Sequence, residues 1–156
     1  MMLTLPTTAQ LERSLTLLLR RGVDVSTQPV ATRCRFAAAG SYHGGDKTPL
    51  AWMAADLPLA AHMAAALSLV PADAADDRVR AGSLDQTLCE NFAEVLNVGA
   101  RLMVRDDAGR LTLLQTGFGD AAAALLPPAG ARMRRALFQV GIDGYGEGLL
   151  GLWGVA

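Results

Sequence analysis

The stretch ENFAEVLNVGARL, residues 90–102, interrupts an otherwise helical pattern of apolar residues with an asparagine, Asn97, three residues after Glu94. Asparagine is a poor helix former, because its side-chain amide competes with the backbone for hydrogen bonds. Its position in the middle of a predicted helix therefore has two interpretations. Either Asn97 is one more polar residue on a solvated surface, or a group outside the helix needs its amide.

The pattern around Asn97 predicts one long amphipathic helix, capped by Ser83 and extending to about Arg105. At about 100° per residue, five polar side chains fall within a sector of roughly 80°. We call this sector the polar ridge, and its members are Gln86, Glu90, Glu94, Asn97 and Arg101. The opposite side of the helix is apolar and is expected to pack on a core. By these considerations alone, a merely solvated ridge is the stronger interpretation.

Composition and charge exclude several classes of function. The 156 residues predict a single domain over 1–156, and 51% of them are apolar. A net charge of −1 gives no electrostatic case for nucleic-acid binding. No apolar run is long enough to span a membrane, and the N-terminus lacks a secretory signal. Two lone cysteines, Cys34 and Cys89, are typical of small buried residues in a reducing compartment, so we expect a cytoplasmic protein.

Two predicted β-hairpins, residues 30–57 and 132–156, resemble each other. At a constant offset of 101 residues several positions match, namely Arg33 with Arg134, Gly40 with Gly141, Gly45 with Gly146 and Trp52 with Trp153. This favours a duplicated helix-plus-hairpin unit folded about a pseudo-twofold axis, and the alternative is coincidence between two glycine-rich hairpins. The final strand, residues 149–156, carries no charged side chain. We expect it either inside the sheet or paired across a homodimer.

Other patterns carry little chemistry. The segment GEGLLG, residues 146–151, has the GxGxxG pattern of dinucleotide-binding sites. That pattern requires a helix after the glycines, whereas the residues here predict a strand. His43 and His62 have no metal-ligand spacing with another His, Cys or carboxylate. We therefore expect no metal bound by this chain.

The segment EVLNVGA, residues 94–100, resembles the ExxN(x)GA signature on a long helix of the CheC/CheX-type chemotaxis phosphatases. Residues 48–77 also resemble the strand, short helix and acidic connector that precede this signature in the family. The resemblance implies an α+β fold, with an antiparallel sheet, long helices packed on it and pseudo-twofold duplicated units. It also implies dephosphorylation of a CheY-like response regulator, and by motif match the catalytic pair is Glu94 and Asn97.

In the family the asparagine orients the attacking water and the glutamate pairs with a lysine of the receiver domain. The aspartyl phosphate, its Mg²⁺ and that lysine belong to the receiver, so the resemblance implies no cofactor bound by this chain. Holding a water in line with the leaving group is worth several kcal/mol, and a carboxamide suits the task because it both donates and accepts without adding charge.

This chain departs from the family pattern at both ends of the signature. Glu90 stands where Ser or Asp is usual, and Arg101 stands where a small residue is common. These long side chains either obstruct the site or, with Gln86, help to dock a receiver. The first predicted helix carries Glu12 but Leu15 three residues later, so only one ExxN is present, as in CheX-like proteins. The alternative hypothesis is a non-catalytic module on the same fold, which docks a receiver or a flagellar-switch component.

Overall fold

The structure is organised around a six-stranded antiparallel sheet. The computed structural model describes residues 2–128 and 130–156. Its strands are β1 (Leu3–Thr4), β2 (Val23–Gln28), β3 (Phe36–His43), β4 (Pro49–Asp56), β5 (Val104–Arg105), β6 (Thr112–Phe118), β7 (Met133–Ile142) and β8 (Glu147–Val155). Its helices are α1 (Thr8–Leu19), α2 (Leu57–Leu67), α3 (Ala72–Ala81), α4 (Gln86–Gly99) and α5 (Asp120–Leu125). The strand order is β2-β7-β8-β4-β3-β6, and β1 and β5 form a separate pair.

The two central strands, β4 and β8, consist almost entirely of small and apolar residues and are buried on both faces. Strands of that composition fit the interior of a sheet that is covered on both sides. The edge strands β2 and β6 carry exposed polar residues instead. The prediction that the uncharged last strand lies inside the sheet is confirmed, since β8 pairs with β7 on one side and with β4 on the other.

A pseudo-twofold axis passes between β4 and β8, where Trp52 pairs directly with Trp153. The strand order is symmetric about this pair, with α1-β2-β3-β4 as one unit and α4-β6-β7-β8 as the other. Both tryptophans are 7% exposed and belong to the same apolar cluster. The predicted duplication and the equivalence of the two tryptophans are therefore confirmed.

The glycine and arginine matches at offset 101 do not survive in the sheet. Gly40 pairs with Met53 in the first hairpin, whereas the position equivalent to Met53, Gly154, pairs with Arg134 in the second. The counterpart of Gly40 is therefore Arg134 and not Gly141. The second hairpin is longer than the first, and only the β4 and β8 positions retain the predicted offset.

The structure differs from the sequence prediction at four places. The predicted helix from Ser83 to Arg105 begins two residues later, because Asp85 is the N-cap and accepts from the Leu88 N–H at 2.9 Å. It ends at Gly99, after which the chain tightens into bonds from N–H groups to carbonyls three residues back. The predicted acidic connector contains helix α3, and the predicted strand 30–36 is mostly the loop that leads into β3.

The two faces of the sheet are covered unequally. Helices α1, α2 and α4 pack on one face and form the main core, and α3 packs on α2. Helix α5 lies on the opposite face, over β3 and β6. No helix within the described residues is long and apolar enough to cross a membrane.

Candidate functional site

Helix α4 is fixed to the sheet by its apolar side. Leu88, Phe92, Val95 and Leu96 are all buried. A Cβ atom on Gly40 of β3 would lie 3.2 Å from a Leu96 methyl carbon, so this glycine allows the helix to lie close to the strand. Asn91 donates to the Ala64 carbonyl at 3.2 Å and ties α4 to α2. The helix is thus held rigidly, and its opposite side is presented to solvent.

The C-terminal turn of α4 makes the closest approach to the sheet. The buried Tyr42 hydroxyl donates to the Leu96 carbonyl at 2.6 Å, which satisfies a carbonyl in the turn where intrahelical partners run out. Burial raises the pKa of Tyr42, so this hydroxyl remains a donor. A Cβ on Gly99 would lie 2.8 Å from the Tyr42 hydroxyl oxygen and 2.7 Å from the terminal methyl of Met53. The glycine of the NVGA segment therefore serves packing, and it positions the neighbouring Asn97.

The structure places four members of the polar ridge, Gln86, Glu90, Glu94 and Asn97, on the exposed side of α4. The fifth, Arg101, is also exposed, but it lies two residues beyond the end of the helix, in the tightened turn. Gln86 donates its side-chain amide to the Glu90 carboxylate at 3.0 Å. The side chains of Glu94, Asn97 and Arg101 make no hydrogen bond or ion pair with any residue that the structure describes. The predicted catalytic pair is thus brought side by side, one helical turn apart, with its polar atoms free.

A groove of about 720 Å³ lies beside the C-terminal end of the polar ridge. Asn97 and Arg101 form one wall of the groove, and residues 103–105 and 108–113 form the rest. Arg105 is held at this edge by Asp107, whose carboxylate it contacts at 2.6 Å and 2.9 Å. The groove gives the ridge a recess on one side.

Helix α1, the pseudo-symmetric counterpart of α4, offers no second site. Its apolar residues Leu11, Leu15, Leu18 and Leu19 have the spacing of Leu88, Phe92, Val95 and Leu96 on α4, which makes Leu17 the counterpart of Glu94 and Arg20 that of Asn97. Glu12 accepts a hydrogen bond from the Val25 N–H at 2.9 Å and so serves β2. The prediction of a single ExxN site agrees with this arrangement.

Sequence reasoning missed the residues that hold the ridge in place. One of them is Tyr42, which lies in β3 and caps the C-terminal turn of α4 from the sheet. No local pattern marks such a contact, since it joins residues 54 positions apart. The described residues contain no group of three His, Cys, Asp or Glu side chains that could hold a metal ion.

Comparisons with known proteins identify the fold. No family model matches the chain, and no curated protein is similar to it in sequence. Among solved structures, the FliM middle domain from H. pylori is similar at TM-score 0.64 and 8% identity, over 95% of this chain and 84% of that one. The fold is CheC-like. Thermotoga maritima FliY is similar at TM-score 0.58 and 12% identity, over 96% of this chain and 84% of that one. The FliG–FliM complex from H. pylori contains a chain similar at TM-score 0.50 and 11% identity, over 95% of this chain and 86% of that one.

Proposed function

We propose that this protein is a docking module that binds a CheY-like receiver domain through the polar ridge of α4. The observation that carries the proposal is a set of three exposed and unbonded side chains at the end of a rigidly anchored helix: Glu94 and Asn97 on α4, and Arg101 in the turn that follows it. A flagellar-switch component is the other class of partner for this surface. Both are cytoplasmic proteins, so the proposal places this chain in the cytoplasm.

The chemistry of the ridge suits a protein partner with charges of both signs. Glu90 and Glu94 offer carboxylates, and Arg101 offers a guanidinium eleven residues after the first and seven after the second. The family resemblance pairs Glu94 with the active-site lysine of a receiver. Complementary charges at such a surface set the orientation of docking and raise the association rate. Because α4 is already fixed on the sheet, little conformational entropy is lost when the partner binds.

The comparisons favour docking over catalysis as the primary function. Two of the similar structures are complexes of FliM from H. pylori, one with FliG and one with SpeE. At no more than 12% identity in these comparisons, their partners are not transferred residue by residue. They support the narrower idea that the fold serves as a platform for protein binding.

Phosphatase activity is the second candidate, and the geometry of Glu94 and Asn97 is the observation that favours it. In that reaction Asn97 holds a water, whose oxygen attacks the phosphorus of the aspartyl phosphate. The bond from phosphorus to the carboxylate oxygen breaks, the aspartate leaves as a carboxylate, and inorganic phosphate and a proton are released. Mg²⁺ is supplied by the receiver, and this chain binds no cofactor of its own in the proposal.

One pair of assays separates the two functions. Fluorescently labelled CheY-like receivers from the same organism are titrated with the protein, and decay of each phosphorylated receiver is followed with and without it. Docking predicts saturable binding to a receiver. Glu94→Lys should weaken this binding about tenfold or more, and the matched variant Glu147→Lys, at the exposed start of β8, should change it less than about twofold.

Asn97→Ala decides between docking and catalysis. The docking module predicts that Asn97→Ala changes binding by less than about twofold, because the charged Glu94 and Arg101 remain, and that neither protein accelerates decay. Acceleration by the wild type that Asn97→Ala abolishes would establish the phosphatase instead. If no receiver binds, the same titration with flagellar-switch components follows, and failure of both would overturn the docking proposal.

A further inference from the structure

The face of the sheet opposite α4 has a second surface, next to Trp153. Both tryptophans are 7% exposed, but α5 covers Trp52, whereas Phe36 and Arg135 contact Trp153. Trp52 donates its indole N–H to the Leu125 carbonyl at 3.1 Å and packs against the buried Ala122 of α5. The Trp153 indole N–H has no acceptor among the residues that the structure describes. The apolar side of Trp153 forms part of an open groove of about 470 Å³.

The groove arises from unequal connections in the two duplicated units. The chain between β6 and β7 is long enough to include α5, which covers the β3 side of the sheet. The equivalent chain between β2 and β3, residues 29–35, contains no helix and leaves the β7 side open. The groove lies between these two connections, and its lining includes Cys34, Phe36, Leu126, Met133, Arg135 and Trp153.

The floor of the groove is aromatic and fixed. Phe36 and Trp153 pack edge to face, with ring centroids 5.4 Å apart and planes at 78°. Gly151 makes room for this arrangement, because a Cβ there would lie 2.6 Å from the Trp153 ring. A rigid aromatic surface of this kind can bind an apolar side chain with little loss of its own conformational freedom.

The rim of the groove is basic. Arg135 lies over the Trp153 ring at 5.8 Å and has no carboxylate partner among the described residues, and Arg35 is fully at the surface. Arg33 lines the adjoining depression. The carboxylates nearby are Asp120, which contacts Arg35 at 3.1 Å in an exposed pair, and Asp56, which caps α2. An exposed pair of that kind adds little stability, so Arg35 is free to exchange its partner.

We propose that this groove binds an acidic segment of a partner protein, with one apolar side chain of the segment placed against Phe36 and Trp153 and its carboxylates bound by Arg35 and Arg135. Charge complementarity selects this occupant: the groove rim is basic, although the chain as a whole has a net charge of −1. The surface lies on the opposite face of the sheet from the polar ridge, so the proposal does not depend on the function of that ridge.

The probe is a fluorescein-labelled peptide, EEDFEELDE, titrated with the full chain and followed by fluorescence anisotropy. Two control peptides replace either every acidic residue by lysine or the two apolar residues by alanine. The double variant Arg35→Glu/Arg135→Glu is compared with Arg13→Glu/Arg80→Glu, which changes the net charge equally at exposed positions outside both grooves. Circular dichroism verifies that both variants are folded.

The proposal expects saturable binding of the acidic peptide that weakens about tenfold or more in Arg35→Glu/Arg135→Glu and less than about twofold in the control. Both control peptides should bind at least about tenfold more weakly. In a Trp52→Phe background, which leaves Trp153 as the sole tryptophan, the peptide should change the intensity of Trp153 emission, because Arg135 lies over this ring before the peptide binds. The proposal is overturned if the acidic peptide does not bind, or if both double variants weaken its binding equally. It is also overturned if the chain self-associates and Arg35→Glu/Arg135→Glu abolishes that self-association.

Discussion

The substitution Gly99→Ala tests whether the C-terminal turn of α4 is fixed by contact with the sheet. Intrinsic propensity alone predicts that alanine stabilises a helix position by about 1 kcal/mol relative to glycine. The structure predicts instead that Gly99→Ala destabilises the protein. The new methyl would lie 2.7 Å from the Met53 methyl and 2.8 Å from the Tyr42 hydroxyl oxygen, both closer than real contacts allow.

The magnitude follows from the two neighbours. The end of Met53 is flexible and moves aside at little expense. The Tyr42 hydroxyl is held by its 2.6 Å bond to Leu96 and cannot move without losing that bond. Overpacking of a filled core costs about 1–3 kcal/mol, so after the propensity gain Gly99→Ala should lower the free energy of unfolding by about 1 kcal/mol.

A double-mutant cycle measured by urea denaturation separates the contributions. Tyr42→Phe alone should lower the free energy of unfolding by about 2 kcal/mol, because it leaves the buried Leu96 carbonyl without its donor. It also removes the hydroxyl that the Gly99→Ala methyl would strike, so the double variant should lose less than the sum of the two single variants. If Gly99→Ala stabilises the protein, or the two effects add, the argument that Gly99 is required for packing is refuted.

Three further measurements test local features. Asp85→Ala should lower the free energy of unfolding by about 1 kcal/mol, since the Leu88 N–H loses its cap; no change in a urea titration would contradict the assigned helix start. Burial lowers the pKa of His62 in the folded state below its usual 6.5, despite the Asp76 carboxylate 2.9 Å away, so the unfolded chain takes up the proton first and stability should fall as pH drops through about 6.5. This loss of stability should be smaller in His62→Gln than in the wild type. An equal loss in both proteins would show that His62 does not cause it. Burial raises the pKa of the Cys34 thiol to about 11, so Cys34 should be alkylated by iodoacetamide at pH 8 far more slowly than in urea, as mass spectrometry of the labelled peptide would record.

Periodicity was sufficient to predict the features that repeat along the chain. The exposed side of α4 follows from helical spacing, and the sheet confirms the Trp52–Trp153 equivalence that the duplicated hairpins indicated. The inner position of β8 followed from its lack of charge. These features depend on local composition or on an internal repeat. Both can be recognised in the sequence without knowing which elements contact each other.

Features that depend on tertiary contact were missed. The sequence predicts a connector where α3 forms, because most residues there are polar, and in the structure only Ala75 of this helix is buried. Ser83 and Asp85 are both good N-caps, and no local rule chooses between them. The bond from Tyr42 to Leu96 and the open groove beside Trp153 arise from the way distant segments meet. The function of Glu94 and Asn97 stays a proposal, since exposure allows docking and catalysis alike.

The central claim is that the polar ridge of α4 docks a receiver, and a charge-reversal cycle tests it most directly. Isothermal titration compares wild-type protein and Glu94→Lys against a binding receiver and against the same receiver with its active-site lysine changed to glutamate. The account predicts that each reversal alone weakens binding about tenfold or more and that the two together restore most of the affinity. If the two losses add, with no recovery in the doubly reversed pair, Glu94 does not face that lysine and docking through the ridge is contradicted.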